Sequence, residues 1–272
     1  MGRFAPTGPV DVPGLEHSVA ELPWGTLRGA FGPSDGSAGA RSNVPSALAV
    51  LRHAPLYAAH PEEIDDAFAV LEHHPLRHRM LYPVAVTIAP FLFDFVRRNS
   101  PLSSRITELI AEYTAAADTL DQHLRDRLVQ FVADHAGEII GWIGTHDRAV
   151  AALAVHVAAL RGRYLAAIED ATQLSPFTLL ALLEIGAAPG ASIRLATELL
   201  DDPQAHHVAR AAAAAFLARF ADRTPSLQAR IDAALPPAAP AALTSFVGQM
   251  WTPRIVRPVG FAAEKLVAAA SA

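Results

Sequence analysis

Twelve histidines are the first residues to test for chemistry. The densest group is His73-His74 with His78, in the run His-His-Pro-Leu-Arg-His. A zinc site needs three or four ligands converging from suitable spacings, with outer partners that fix each ring. Here the rings flank a proline break and only Glu72 stands nearby. The plainer reading is an exposed helix end, where a protonated imidazole complements the negative end of the helix dipole. His206-His207 falls in a first helical turn, and His156 lies between Val155 and Val157 on an alanine-rich stretch, a packing position. No His-Glu-x-x-His occurs. The residues assign no metal.

Other catalytic constellations are missing too. There is no Gly-x-Ser-x-Gly elbow, no Gly-x-Gly-x-x-Gly and no Gly-Lys-Ser/Thr phosphate loop. Gly137–Gly144 is glycine-spaced but lacks a strand–turn–helix context, so a close helix crossing explains it better. The carboxylate pairs Glu62-Glu63, Asp65-Asp66, Glu169-Asp170 and Asp201-Asp202 read as helix-end charges rather than acid/base pairs. No catalytic residue and no cofactor are assigned. The remaining candidates are for partner binding. Trp251 stands in the break Met250-Trp251-Thr252-Pro253, and Arg161 and Arg163 form a short basic cluster. Aromatic residues and arginine are the usual hot spots of protein interfaces. His73 and His74 join them as an exposed polar pair.

These residues must be carried by helices. Proline after a small polar residue recurs as a start signal: Ser100-Pro101, Ser175-Pro176, Asp202-Pro203 and Thr224-Pro225. Proline is pre-organised for the first helical turn, and the polar side chain satisfies an amide left without a partner there. Apolar residues then follow at helical spacing, as in Ile64, Phe68 and Leu71, or Val150, Leu153, Val157 and Leu160. Helices are expected over 21–31, from Asn43 to Pro55, from Pro61 to Pro75, over 82–98 with a kink at Pro90, from Ser100, over 120–137, 148–161 and 163–173, from Ser175 to Gly186, over 193–200, 203–220 and 225–235, 241–250 and 259–270. Asp118 or Thr119 is the expected cap of the 120–137 helix, and Arg161-Gly162-Arg163 the tight turn between two helices. Val and Ile sit at helical rather than alternating spacing, so no strand is expected.

The fold class is therefore all-α, with about a dozen helices. Residues 1–19, rich in Pro and Gly, read as a tail or arm, and 20–272 as one helical domain. Short breaks between successive helices imply antiparallel neighbours. Residues 147–173, 177–200 and 203–235 each read as a helix pair of solenoid-repeat size. One amphipathic pair cannot bury its own apolar face, so stacked pairs forming an α-solenoid are expected. An irregular all-α globule shares the same local signals.

Charge and composition narrow the partners. The net charge is −5, from 22 basic and 27 acidic residues. A nucleic-acid surface shows a basic excess or stripe, and neither is present. Apolar runs such as 82–93 fall short of the ~20 residues that span a bilayer. Residues 1–6 lack a long apolar region, so no signal peptide is expected. There are no cysteines, which fits a reducing cytoplasm.

Two stretches resemble bacterial HEAT-repeat proteins. In Leu22–Leu51 these are Trp24, Ala30-Phe31-Gly32 and Val44-Pro45, a Trp-containing helix, a break and a second helix introduced by Val-Pro. Leu81–Val86 followed by Pro90-Phe91-Leu92 resembles the next element. Farther on, Asp147–Leu160 and Ala209–Phe220 look like inner helices of such repeats. The chain departs from the pattern in its long 32–43 loop and its longer helices around 120–144. The resemblance implies a HEAT-like solenoid and a non-enzymatic scaffold for a protein or peptide partner. Some such proteins lie beside bacterial toxin or defence genes, which implies an immunity or antitoxin role as one form. It assigns no catalytic residue. Two alternatives stay open: a helical-repeat enzyme of DNA-glycosylase type, which would need a basic cleft, and a helical small-molecule-binding protein.

Overall fold

The architecture follows from where helices can be capped and where they cannot. The computed structural model describes residues 19, 22–54, 60–78, 80–98, 100–116, 118–119, 121–222 and 224–235. The expected N-terminal arm, the helices at 241–250 and 259–270, and Trp251 lie outside them. The chain is mostly helical, an all-α fold with a little sheet. It divides into two compact units, Met1–Phe131 and Val132–Ala272. Nothing in the sequence pattern marks a boundary there.

In the first unit, α1 (Val44–Arg52) packs on α2 (Pro61–His73), and α3 (Pro83–Arg97) packs on α4 (Ser103–Ala115). The start of α1 is as expected: the Asn43 side chain accepts the Ser46 amide at 3.2 Å, with Pro45 in the first turn. Helix α3 is central, and every residue from Phe91 to Val96 is buried. Two side chains of α4 tie it to α2. Tyr113 Oη donates to the Leu71 carbonyl. The Arg105 guanidinium binds Asp65 at 2.6 Å and Glu72 at 3.3 Å while lying 3.8 Å over the Phe68 ring.

The helix expected over 21–31 is not formed in its described part. Turns lead instead into a hairpin of β1 (Arg28–Gly29) and β2 (Gly32–Pro33), with Gly29 opposite Gly32. Gly25, Gly29 and Gly32 give this segment little helical preference. It is held by contacts a local reading cannot weigh: the Ser34 amide donates to the carbonyls of Trp24 and Leu27, both at 3.0 Å, and Trp24 Nε1 to Val19 at 2.6 Å. A second small sheet also runs against the expectation of no strands. In it β3 (Leu76–Arg77) and β4 (Met80–Leu81) pair antiparallel, and β5 (Asp118–Thr119) joins β4 in parallel. Asp118 and Thr119 thus belong to a strand rather than capping a helix. Helix α5 (Gln122–Asp134) begins after Asp121, whose Oδ1 accepts the His123 amide at 2.8 Å.

The second unit contains α6 (Ala136–Ile140), α7 (Asp147–His156), α8 (Ala158–Glu169), α9 (Pro176–Ile185), α10 (Ser192–Asp201), α11 (His207–Phe220) and α12 (Pro225–Ala234). Helix α7 packs on α8 and α9, α9 on α11, and α11 on α10 and α12, while α6 lies against α8. The caps at Ser175 and Thr224 hold as read, accepting the amides of Thr178 and Leu227, both at 3.2 Å. Helix α11 starts at His207 and not at Pro203. Asp202 Oδ1 takes the Gln204 amide at 2.8 Å and closes a turn first, and His206 Nδ1 then caps Val208 at 3.3 Å.

One break is misplaced by local reading. Arg161-Gly162-Arg163 lies inside α8, and the chain turns at Val157, which is buried and extended at φ −108° and ψ 102°. Arg161 explains the shift. From the first turns of α8 its guanidinium reaches back to the carbonyls of Ala154 at 3.4 Å and Val155 at 2.7 Å. Those are end-of-helix acceptors that otherwise lack a donor. Gly162 is exposed, and nothing lies within 4 Å of where its Cβ would be. Gly162→Ala should therefore stabilise the protein by about 0.5–1 kcal/mol through backbone entropy alone, read as a higher denaturant midpoint.

Candidate functional site

The first unit carries an open cavity of about 410 Å³ beside α2. Helical spacing builds its wall. Asp66, Val70 and His73 stand at i, i+4 and i+7, one stripe of α2, and line the cavity. Asp65 and Glu72, displaced around the helix, bind Arg105 instead. The opposite side comes from Asn43, Ser46 and Ala47 at the start of α1, and from Arg41 in the short 3-10 turn Ala40–Ser42 that packs on α2. Alanines 47, 67 and 69 also line it, and their short side chains leave room between the two helices. Among the described residues, Arg41, Asp66 and His73 have no ion pair or side-chain hydrogen bond within the protein.

His74, next in sequence, has the opposite role. It is fully buried. The Phe31 amide donates to Nδ1 at 3.4 Å, which leaves Nε2 as the nitrogen that carries the proton. Nε2 lies 3.0 Å from Ser34 Oγ, and that hydroxyl donates onward to the Leu27 carbonyl at 3.0 Å. The His74 carbonyl accepts the Ala30 amide at 2.8 Å, and the Phe31 ring stacks on the imidazole at 5.9 Å. One neutral ring thus holds the β1–β2 segment from within. The expectation of an exposed His73-His74 pair holds for His73 only. A buried His74 cannot touch a partner directly.

Burial pushes the His74 imidazole below its ordinary value. The Arg77 guanidinium lies 4.7 Å over the other ring of the stack, that of Phe31. Protonation would also set Nδ1–H against the Phe31 N–H. The unfolded chain takes up the proton near pH 6.5 and the folded chain resists, so stability is full above that pH and falls as pH drops through it. His146, also pushed down by burial, adds to the same limb. The difference between wild type and His74→Gln in unfolding free energy, followed from pH 7.5 to 5, should isolate the His74 share. Parallel curves would mean the ring is not held neutral.

The other sequence candidates are elsewhere. Arg161 belongs to the second unit and is committed to the end of α7; its charge also opposes the upward push that burial gives Glu184. Arg163, likewise in the second unit, is exposed, and a Cβ at Gly137 would sit 3.2 Å from its Nη1. The structure therefore joins His73 with Arg41, Asp66 and Ser46, none of which sequence reasoning singled out for binding. The missed signal was angular. Adjacent residues of a helix point about 100° apart, so the Asp65-Asp66 pair divides between two faces.

Among the described residues no three His, Asp or Glu are placed to hold a metal, and no helix is long and apolar enough to cross a membrane. The chain matches no protein-family model, no curated protein and no solved structure.

Proposed function

We propose that this chain is a non-enzymatic, HEAT-like helical scaffold that binds a protein or peptide partner. The observation that carries the reading is the cavity along α2. It is open, walled by two successive helices and partly lined by alanines, and its Arg41, Asp66 and His73 have no partner among the described residues. Binding sites on stacked helical repeats are built in this way, on a surface lined by successive repeats. Contacts in the second unit support the architecture. Helices α7, α9 and α11 touch as alternate elements of the chain, the neighbour pattern of a layered stack, while α8, α10 and α12 follow each of them in sequence. Alanine makes the close approach workable: Ala211 to Ala215 are all buried in α11. An immunity protein that occludes a toxin is one form this function takes.

The test is selection from a displayed random-peptide library against the immobilised full chain, followed by titration of the winning peptides in solution. Saturable one-to-one binding, weakened at least fivefold by His73→Ala, supports the scaffold. A library that yields no saturable binder, or a chemical turnover by the purified chain, would overturn it.

A further inference from the structure

Resting on that reading, we infer that the cavity between α1 and α2 holds the free carboxyl end of an extended peptide with a lysine or arginine within its last three residues. The charges of α2 divide between two flanks. On one, Asp65 and Glu72 are taken up by Arg105 at 2.6 and 3.3 Å. On the other, Asp66 and His73 line the cavity together with Arg41, and none of the three meets a counter-group among the described residues. The site therefore offers an anion at one level of α2, and an imidazole with a guanidinium in the same lining.

Seven residues of helix place Asp66 and His73 about 10 Å apart along the axis. Extended chain covers about 3.3–3.6 Å per residue, so roughly three residues bridge the two levels. A terminal carboxylate suits Arg41, whose fork of donors matches its two oxygens, with His73 as a further donor. A cationic side chain near the end then reaches Asp66. Between them Ala47, Ala67 and Val70 give an apolar floor for one side chain. A phosphate-rich ligand would meet Asp66, and a purely basic segment would meet Arg41, so a peptide end carrying both charges is the better match.

Fluorescence anisotropy of amino-terminally labelled hexapeptides tests this. Their antepenultimate residue is lysine, and other positions are randomised. The free-acid pool should bind at least tenfold more tightly than the same pool amidated at its carboxyl end. Arg41→Ala should erase that preference. Asp66→Lys should exchange the choice of lysine for one of glutamate at the same position, which a merely structural role would not do. Ala69→Phe, at an exposed position, should block the cavity and remove binding while the circular dichroism spectrum stays unchanged. Equal binding of acid and amide pools, or an Asp66→Lys protein that keeps its preference for lysine, overturns the inference. If displayed peptides bind but ignore Arg41, Asp66 and Ala69 substitutions, the scaffold reading stands and this one fails. If nothing binds, both fall.

Discussion

Gly190→Ala should destabilise the protein by about 2–5 kcal/mol, because two separate costs meet at one residue. Gly190 sits at φ +51°, a left-handed conformation that costs an L-residue about 1–2 kcal/mol. A methyl group there would also drive into the Glu169 backbone at the end of α8, with the carbonyl carbon and Cα both at 2.9 Å and the oxygen nearer still. A flexible side chain could turn aside, but the end of a packed helix cannot, and overpacking of this kind costs about 1–3 kcal/mol. Gly144 separates the two terms. It has φ +87° but nothing within 4 Å of its Cβ position, so Gly144→Ala should cost only about 1–2 kcal/mol. Guanidinium unfolding of both variants measures the difference. Equal losses would mean that Gly190 does not touch Glu169.

The legible and illegible parts of this fold divide by the range of the interaction that decides them. Helix starts at Asn43, Ser175 and Thr224 could be read because each cap acts on an amide three residues away. The left-handed stop at Gly186 was equally local, at φ 81°. The break between α7 and α8 could not be read in the same way. Arg-Gly-Arg has turn chemistry, yet Arg161 is needed inside a helix so that it can cap the one before it. The hairpin at 28–33 depends on a histidine some 40 positions later, and β5 pairs with a strand about as far before it, so no window of sequence contains either reason. The site shows the same division. His73 attracted attention as a residue type, but its partners in the cavity were set by how α1 and the 3-10 turn pack on α2.

Gly29→Ala carries the second large effect and links the fold to the site. Gly29 has no unusual φ; what it lacks is room. Its Cβ would enter the His74 ring, meeting Nε2, Cδ2 and Cε1 together. The ring cannot retreat without releasing Phe31 N–H and Ser34 Oγ, both inside the structure. Overpacking at about 1–3 kcal/mol and a broken buried hydrogen-bond set at about 1–3 kcal/mol give an expected loss of about 2–6 kcal/mol. The double variant Gly29→Ala/His74→Ala should be more stable than the sum of the single losses implies, because the ring that the methyl strikes is then gone. Additive losses would show that the two residues do not meet. The damage should also travel along the backbone. The Ser34 carbonyl accepts the amide of Val44, the first residue of α1, at 3.1 Å, and Asn43 beside it caps Ser46 on the cavity wall. In Gly29→Ala the Ser46 amide should therefore exchange its hydrogen faster than in wild type by at least the factor by which Thr178, capped by Ser175 in the other unit, changes. A larger factor at Ser46 would mean that His74 maintains the rim of the cavity, and a smaller one that the rim is held by α2 alone.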